Sequence, residues 1–329
     1  MKYFVLISTL LTTLSSALDV AIIVGGRLKN TTITDKVEIF APNCRKSAVE
    51  LPSFPRQLEN IQVGFVPNKE VNGGGILLAC GGGRDDYASR ECFRYFPRAR
   101  VWIFHSQLNV GRHNADSVVV DGNFIIVGGN DENSNGHSTM EILIKKEWLL
   151  NPDKMPKGGR RSHCVSNANQ GFIVAGGISN LNYELRSVYF YNISSNIWER
   201  LEDMKYQREY HSCIGIESKG NYRYFLAGGA SCCVRDNSLE VFDLEKKTWT
   251  FEDAGKFVLG RDGGQLLQLN ANIYALGGRL HHDSVEMYDP ELNTRWKYMD
   301  DLHLLYGRRF AGVAKVPMEF FQGDIRCEI

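Results

Sequence analysis

The sequence predicts an all-β chain, a six-bladed β-propeller with four antiparallel strands in each blade. Three observations predict it. An alternating apolar segment ending in a double glycine occurs six times, as AIIVGG at 21–26, LLACGG at 77–82, FIIVGG at 124–129, FIVAGG at 172–177, YFLAGG at 224–229 and IYALGG at 273–278. A tryptophan follows at nearly constant distance in five of the six units. Between these marks the apolar residues alternate with period two, and no segment sustains the helical period. A period of about fifty residues is the signature of a repeat architecture, and four short antiparallel strands per repeat are a propeller blade.

The elements of one unit follow in order. The double-glycine segment is a buried strand that ends where the backbone needs glycine. A polar loop comes next, then a second alternating strand: KVEIFAP, ECFRYFP, SVYFYN, SLEVFD and SVEMYDP. Its aromatic residue sets the position of the tryptophan, as Tyr95 does for Trp102, Tyr191 for Trp198, Phe242 for Trp249 and Tyr288 for Trp296. The third unit has a shorter hairpin and still reaches Trp148, whereas the first lacks the tryptophan, as a terminal copy often does. A bend containing Pro or Met then leads to an arginine and a fourth apolar strand, best seen in MPKGGRRSHCVSN and MKYQREYHSCIGI.

This pattern resembles the kelch repeat. The resemblance rests on the double glycines, the aromatic, the spaced tryptophan, and the Arg-x-x-His opening of a strand (Arg160 or Arg161 with His163, Arg208 with His211), and it covers the chain from Leu18 onward. It implies that the double-glycine strand is the second of its blade and that the arginine opens the innermost one. Blade one then lacks an innermost strand, and GRRFAGVAKV at 307–316 is an innermost strand with no blade after it. Pairing the two closes the ring and removes two open sheet edges.

Lys2, the apolar run Tyr3–Leu14 and the small residues Ser15, Ser16 and Ala17 form the pattern of a secretory signal peptide cleaved after Ala17. Two parts are therefore expected: a signal peptide at 1–17 and the propeller at 18–329, with a secreted, extracellular product. Eight cysteines agree with export. Cys80 with Cys92, flanking one loop, and Cys44 with Cys327, joined by ring closure, are the expected disulfides. Asn30 and Asn192 stand in N-x-[ST] sequons, as expected of a glycoprotein.

Lys plus Arg equals Asp plus Glu, 38 against 38, so bulk charge gives no reason to expect a nucleic-acid partner or an anionic membrane surface. No later segment reaches the length of a membrane span. There is no phosphate-loop motif and no nucleophile elbow. The adjacent His281 and His282 lack the spacing of a zinc site, so neither a metal nor a cofactor is expected.

What remains is the arginine at the start of each innermost strand: Arg308 or Arg309, Arg56, Arg112, Arg160 or Arg161, Arg208, and Arg261. With Arg161 and Arg308 taken from the two pairs, these six form an electropositive channel mouth suited to carboxylates. In kelch adaptors of ubiquitin ligases, arginines at such positions receive acidic peptides. The alternative is that the arginines belong to the repeat and pair with loop carboxylates such as Asp85, Asp86, Asp262 and Asp283. The expected function is binding of a protein, an acidic peptide segment or a matrix component at this mouth. The rival is a secreted carbohydrate-active enzyme, similar to sialic-acid mutarotases or to oxidases, working at the same place.

Overall fold

The computed structural model describes residues 18–44, 47–71, 74–85, 87–168, 170–218, 221–231, 234–235, 237–250, 256–292 and 295–321. The expected signal peptide at 1–17, Cys327, Asp86 and the adjacent Cys232 and Cys233 lie outside them. The described residues form six four-stranded antiparallel sheets. From channel to rim, blade one is Gly312–Pro317, Asp19–Val24, Val37–Phe40 and Ala48–Leu51. Blade two is Gln62–Pro67, Gly75–Cys80, Glu91–Phe96 and Val101–Gln107. Blade three is Asp116–Val120, Asn123–Val127, Met140–Ile144 and Glu147–Leu150. Blade four is Cys164–Ala168, Gly171–Ala175, Val188–Asn192 and Ile197–Arg200. Blade five is Ser212–Ser218, Asn221–Ala227, Leu239–Asp243 and Thr248–Thr250. Blade six is Gln265–Leu269, Asn272–Leu276, Ser284–Tyr288 and Lys297–His303.

The ring closes as the sequence implies. Gly312–Pro317 runs antiparallel to Asp19–Val24, with Val24 opposite Gly312 and Asp19 opposite Pro317. The second strands are apolar over the half that leads into the double glycine because neighbouring blades cover both faces there, and Val20 to Val24 are all buried.

The repeated aromatics fill the space between second and outer strands. Trp102 stands opposite Tyr95, Trp198 opposite Tyr191, and Trp249 opposite Phe242 on adjacent strands. Their ring centroids lie 5.1, 4.8 and 4.9 Å apart, within the range of favourable aromatic pairs.

Both glycines of each pair have positive φ, as in Gly25 at 62° and Gly26 at 96°. The second one donates its N–H to a carbonyl of the next blade: Gly82 to Arg112, Gly129 to Arg160, Gly177 to Arg208, Gly229 to Arg261, Gly278 to Arg308, and Gly26 to Leu58. A Cβ at Gly25 would run into the Leu58 carbonyl. The double glycine is thus the joint between blades, and it identifies the residue that opens each inner strand. In blade two that residue is Leu58, not Arg56.

Two disulfides join described residues. Cys80–Cys92 links the second and third strands of blade two, as expected. Cys164–Cys213, which the sequence reading did not foresee, ties the inner strand of blade four to that of blade five. Cys44 is also disulfide-bonded, while its expected partner Cys327 falls outside the described residues. Asn30 is exposed in the loop after the first double glycine, and Asn192 is part-exposed at the end of a third strand.

Candidate functional site

The arginines that open the inner strands do not line a mouth. Arg112, Arg160, Arg208, Arg261 and Arg308 are among the fully or almost fully buried residues of the chain. Each guanidinium turns into its own blade. Arg112 donates from Nη1 to the Gly128 carbonyl at 2.7 Å and from Nε to Glu141 Oε1 at 3.0 Å. Arg208 meets Glu240 at 2.8 Å, Arg261 meets Glu286 at 2.9 Å, and Arg308 meets Glu38 at 2.6 Å. These carboxylates come from third strands, so the partners differ from the loop aspartates the sequence suggested.

The same glutamates accept backbone N–H groups from the bend before the inner strand. Glu141 accepts from Asn109 and Val110, Glu240 from Lys205 and Tyr206, Glu286 from Val258 and Leu259, and Glu38 from Leu305 and Tyr306. A buried carboxylate is tolerable only with such full satisfaction. Desolvation raises the Glu38 carboxyl above its usual range, and Arg308 pulls it back. Burial likewise lowers the guanidiniums of Arg112, Arg261 and Arg308, against the opposing pull of their glutamates.

Arg160 has no glutamate. Tyr189 stands at that place, 5.1 Å from the guanidinium carbon to the ring centroid, and burial lowers the Arg160 pKa to about 10. Arg56 is exposed beside Arg84, Asp85 and Tyr87 of the loop after the blade-two double glycine, in a bidentate pair with Glu91 at 2.7 and 2.8 Å. Of the six residues assigned to the mouth, Arg161 alone reaches it.

The mouth itself is built one residue later. Two positions before each inner strand the backbone turns left-handed: Asn60, Asn114, Ser162, Tyr210, Gly263 and Phe310 have φ between 51° and 63°. Their peptide groups pass hydrogen bonds round the channel, from Asn60 to Phe310, Phe310 to Gly263, Gly263 to Tyr210, Tyr210 to Ser162 and Ser162 to Asn114, at 2.7 to 3.0 Å. Gly263 leaves room for the Phe310 ring, which a Cβ would strike, and Phe310 packs on Tyr210 with centroids 5.0 Å apart.

The residues just before these six are Glu59, His113, Arg161, Glu209, Asp262 and Arg309, all charged types except His113, whose pKa burial lowers. The loops after the double glycines add Arg27 and Arg279. Arg27 is held by Glu59 through two hydrogen bonds of 2.7 and 2.8 Å. Arg161 donates to Asn182 at 2.8 Å. Burial lowers the Arg309 pKa, and neighbouring Arg279 lowers it further. Burial raises the Glu209 carboxyl, with Glu184 adding to the shift and Arg161 opposing it. The mouth therefore mixes both signs, with Arg161, Arg279 and Arg309 reaching toward solvent. Sequence reasoning missed Arg27 and Arg279, and took Arg308 over its alternative Arg309, because it followed the repeated arginine rather than its neighbours.

Below the mouth, the first residue of an inner strand reaches across to the next blade. Gln62 donates to the Ala115 carbonyl, Asp116 accepts from Val165 N–H, Cys164 bonds to Cys213, and Ser212 accepts from Leu266 N–H. His281 and His282 stay in their loop, and no group of three potential metal ligands gathers among the described residues.

No protein-family model matches the chain. It is 25% identical over 273 residues to Kelch-like protein 15 of Danio rerio, covering 73% of this chain and 44% of that one. It is 26% identical over 239 residues to Kelch-like protein 15 of Homo sapiens, covering 64% and 38%. The Kelch repeat and BTB domain-containing protein 1 of Camelpox virus is 24% identical over 207 residues. The chain thus spans less than half the length of these relatives. Among solved structures, that of YjhT superposes with a TM-score of 0.64 at 13% identity, over 85% of this chain and 98% of the other, which speaks to the fold alone. With its six glycine joints and its aromatic pairs, the chain is a six-bladed β-propeller of the kelch type, similar to these kelch-repeat relatives.

Proposed function

We propose that the chain is an exported binding module whose partner is a protein segment carrying an apolar side chain flanked by carboxylates, received at the mouth described above. One observation carries this reading. Large apolar side chains stand out from the loops on this face, Leu181 at 76%, Tyr183 at 68% and Leu280 at 63% exposure, beside Arg161, Arg279 and Arg309. Apolar anchors next to guanidiniums are the composition of interface hot spots. The curated kelch relatives lend support to the family part of the reading, and the leader-like residues 1–17 to the export part.

The test is affinity capture from the culture medium of the source cells, comparing the parent with an Arg161→Ala/Tyr183→Ala variant. The expected result is a partner whose recovery falls at least about tenfold with the variant, the weight of one charge-assisted hydrogen bond, while the melting temperature stays put. Equal recovery would overturn the assignment of the mouth. Export has its own readout: the intact mass of protein from the medium should begin at Leu18 and show no free thiol on Cys80, Cys92, Cys164 or Cys213.

A further inference from the structure

Beneath the mouth the channel narrows to a polar neck and then opens, toward the far ends of the inner strands, into a cavity of about 510 Å³. That volume falls in the range of small-molecule sites. Its walls combine apolar side chains, Val63, Phe65, Val119, Ile214, Leu267 and Val313 among them, with polar ones such as Ser166, Asn167, Gln265 and Gln268. Asp116 stands at the head of the cavity, where neck and funnel meet.

The carboxylate of Asp116 is only half satisfied. Its Oδ2 accepts Val165 N–H at 2.6 Å and its Oδ1 accepts Ser117 N–H at 2.8 Å, which leaves acceptor capacity on both oxygens. No cation faces it. The other charged groups lining the funnel are Asp19 and Lys315, which pair with each other at 3.5 Å. On the neck side stand His163 and His211, both held neutral by burial. A carboxylate without a cation at the narrow end of a funnel lined in good part by apolar side chains is costly in the empty protein and complementary to one kind of guest.

We propose that this lower half of the channel binds a small amphipathic amine, whose ammonium group pairs with Asp116 and whose apolar body lies between Val63, Val119, Ile214, Leu267 and Val313. The site is separate from the loop face assigned to the protein partner and opens at the opposite end of the channel. Desolvation pushes the Asp116 carboxyl up to about 7, and an ammonium beside it would bring it down again. Affinity for an amine should therefore rise between pH 6 and pH 8, as the carboxyl ionises.

The experiment uses the full secreted chain and two probes of similar shape, phenethylammonium and 3-phenylpropionate, followed by calorimetry. Saturable binding of the ammonium, no binding of the carboxylate, and a loss of about tenfold or more in Asp116→Asn would support the site. The Asn variant keeps an acceptor for Val165 N–H, so it should fold. Leu267→Trp fills the funnel without touching Asp116 and should abolish ammonium binding as well. Equal binding of both probes, no saturation by 10 mM, or an Asp116→Asn protein that binds like the parent would overturn the proposal.

Discussion

In blade three the bend before the inner strand is held by Glu141, which accepts N–H from Asn109 and Val110 and pairs with Arg112. In blade two the places of Asn109, Arg112 and Glu141 are taken by Pro55, Leu58 and Phe93. The register proves the match: Glu141 stands opposite Ile126, and Phe93 opposite Ala79, each two residues before the first joint glycine. Proline has no N–H to satisfy. Leu58 and Phe93 are buried in the same apolar cluster. The ionic joint and the apolar joint are therefore complete sets of three. What the repeat preserves is the position of the bend and the satisfaction of its polar groups, and either chemistry serves.

The sharpest way to break this comparison is to remove one member of an ionic set. Glu240→Ala leaves Arg208 buried without its carboxylate and two bend N–H groups unpaired. A loss of about 3–5 kcal/mol is expected in denaturant unfolding. Transplanting the whole apolar set into blade three, as Asn109→Pro, Arg112→Leu and Glu141→Phe together, should cost far less than Glu141→Ala alone. A triple variant as damaged as the single one would show that the two sets are not equivalent.

Blades four and five sharpen the comparison through pH. Three residues after the opening arginine they carry His163 and His211, where blades two, three and one have Ile61, Ala115 and Ala311. Both imidazoles are fully enclosed and held neutral, with pKa lowered to about 3, by burial first and then by the adjacent arginines. Their ring nitrogens have no hydrogen-bond partner among the described residues. In the unfolded chain each binds a proton near pH 6.5, so the unfolded state gains protons as pH falls and stability drops with it. Between pH 7 and pH 5 the pair should cost roughly 2–4 kcal/mol, seen as a falling melting temperature. His163→Met/His211→Met should flatten that slope; an unchanged slope would assign it to other groups.

The smallest effect concerns the mixed case, blade four, where Arg160 keeps the guanidinium but faces Tyr189. Its Nε has no partner among the described residues. Tyr189→Glu supplies the missing carboxylate and should stabilise by about 1–2 kcal/mol, within the range of a charge-assisted hydrogen bond. Destabilisation would mean that Tyr189 packing outweighs the pair.

Much of this was legible in the sequence. Double glycines can be read because left-handed geometry leaves few alternatives, and closure can be read because an unpaired inner strand needs a blade. The arginines were misread because burial is invisible in a motif that recurs. The correcting signal was present: a glutamate set between apolar residues in VEIF, MEIL, LEVF and VEMY is a buried charge awaiting a partner. Blade two lacks it in CFRYF, which argues against an arginine joint there, and Arg56 was one such assignment. The Cys164–Cys213 bond also had a trace, since each cysteine directly follows or lies near the histidine of the same motif, in SHC and HSC. Which residues meet across the channel depends on the radius of the ring, and no local pattern carries that.

Ring closure also sets a schedule for synthesis. Arg308 follows Gly25 by 283 residues, and the strand it introduces is the one that completes blade one. At about 5–20 residues per second on the ribosome, the nascent DVAIIV strand waits on the order of 15–60 s for its partner, longer than most strands take to find a neighbour. Throughout that interval it offers a bare apolar edge. The stretch between the first and last strands is thus a window in which chaperones, rather than the blade itself, must keep that edge covered.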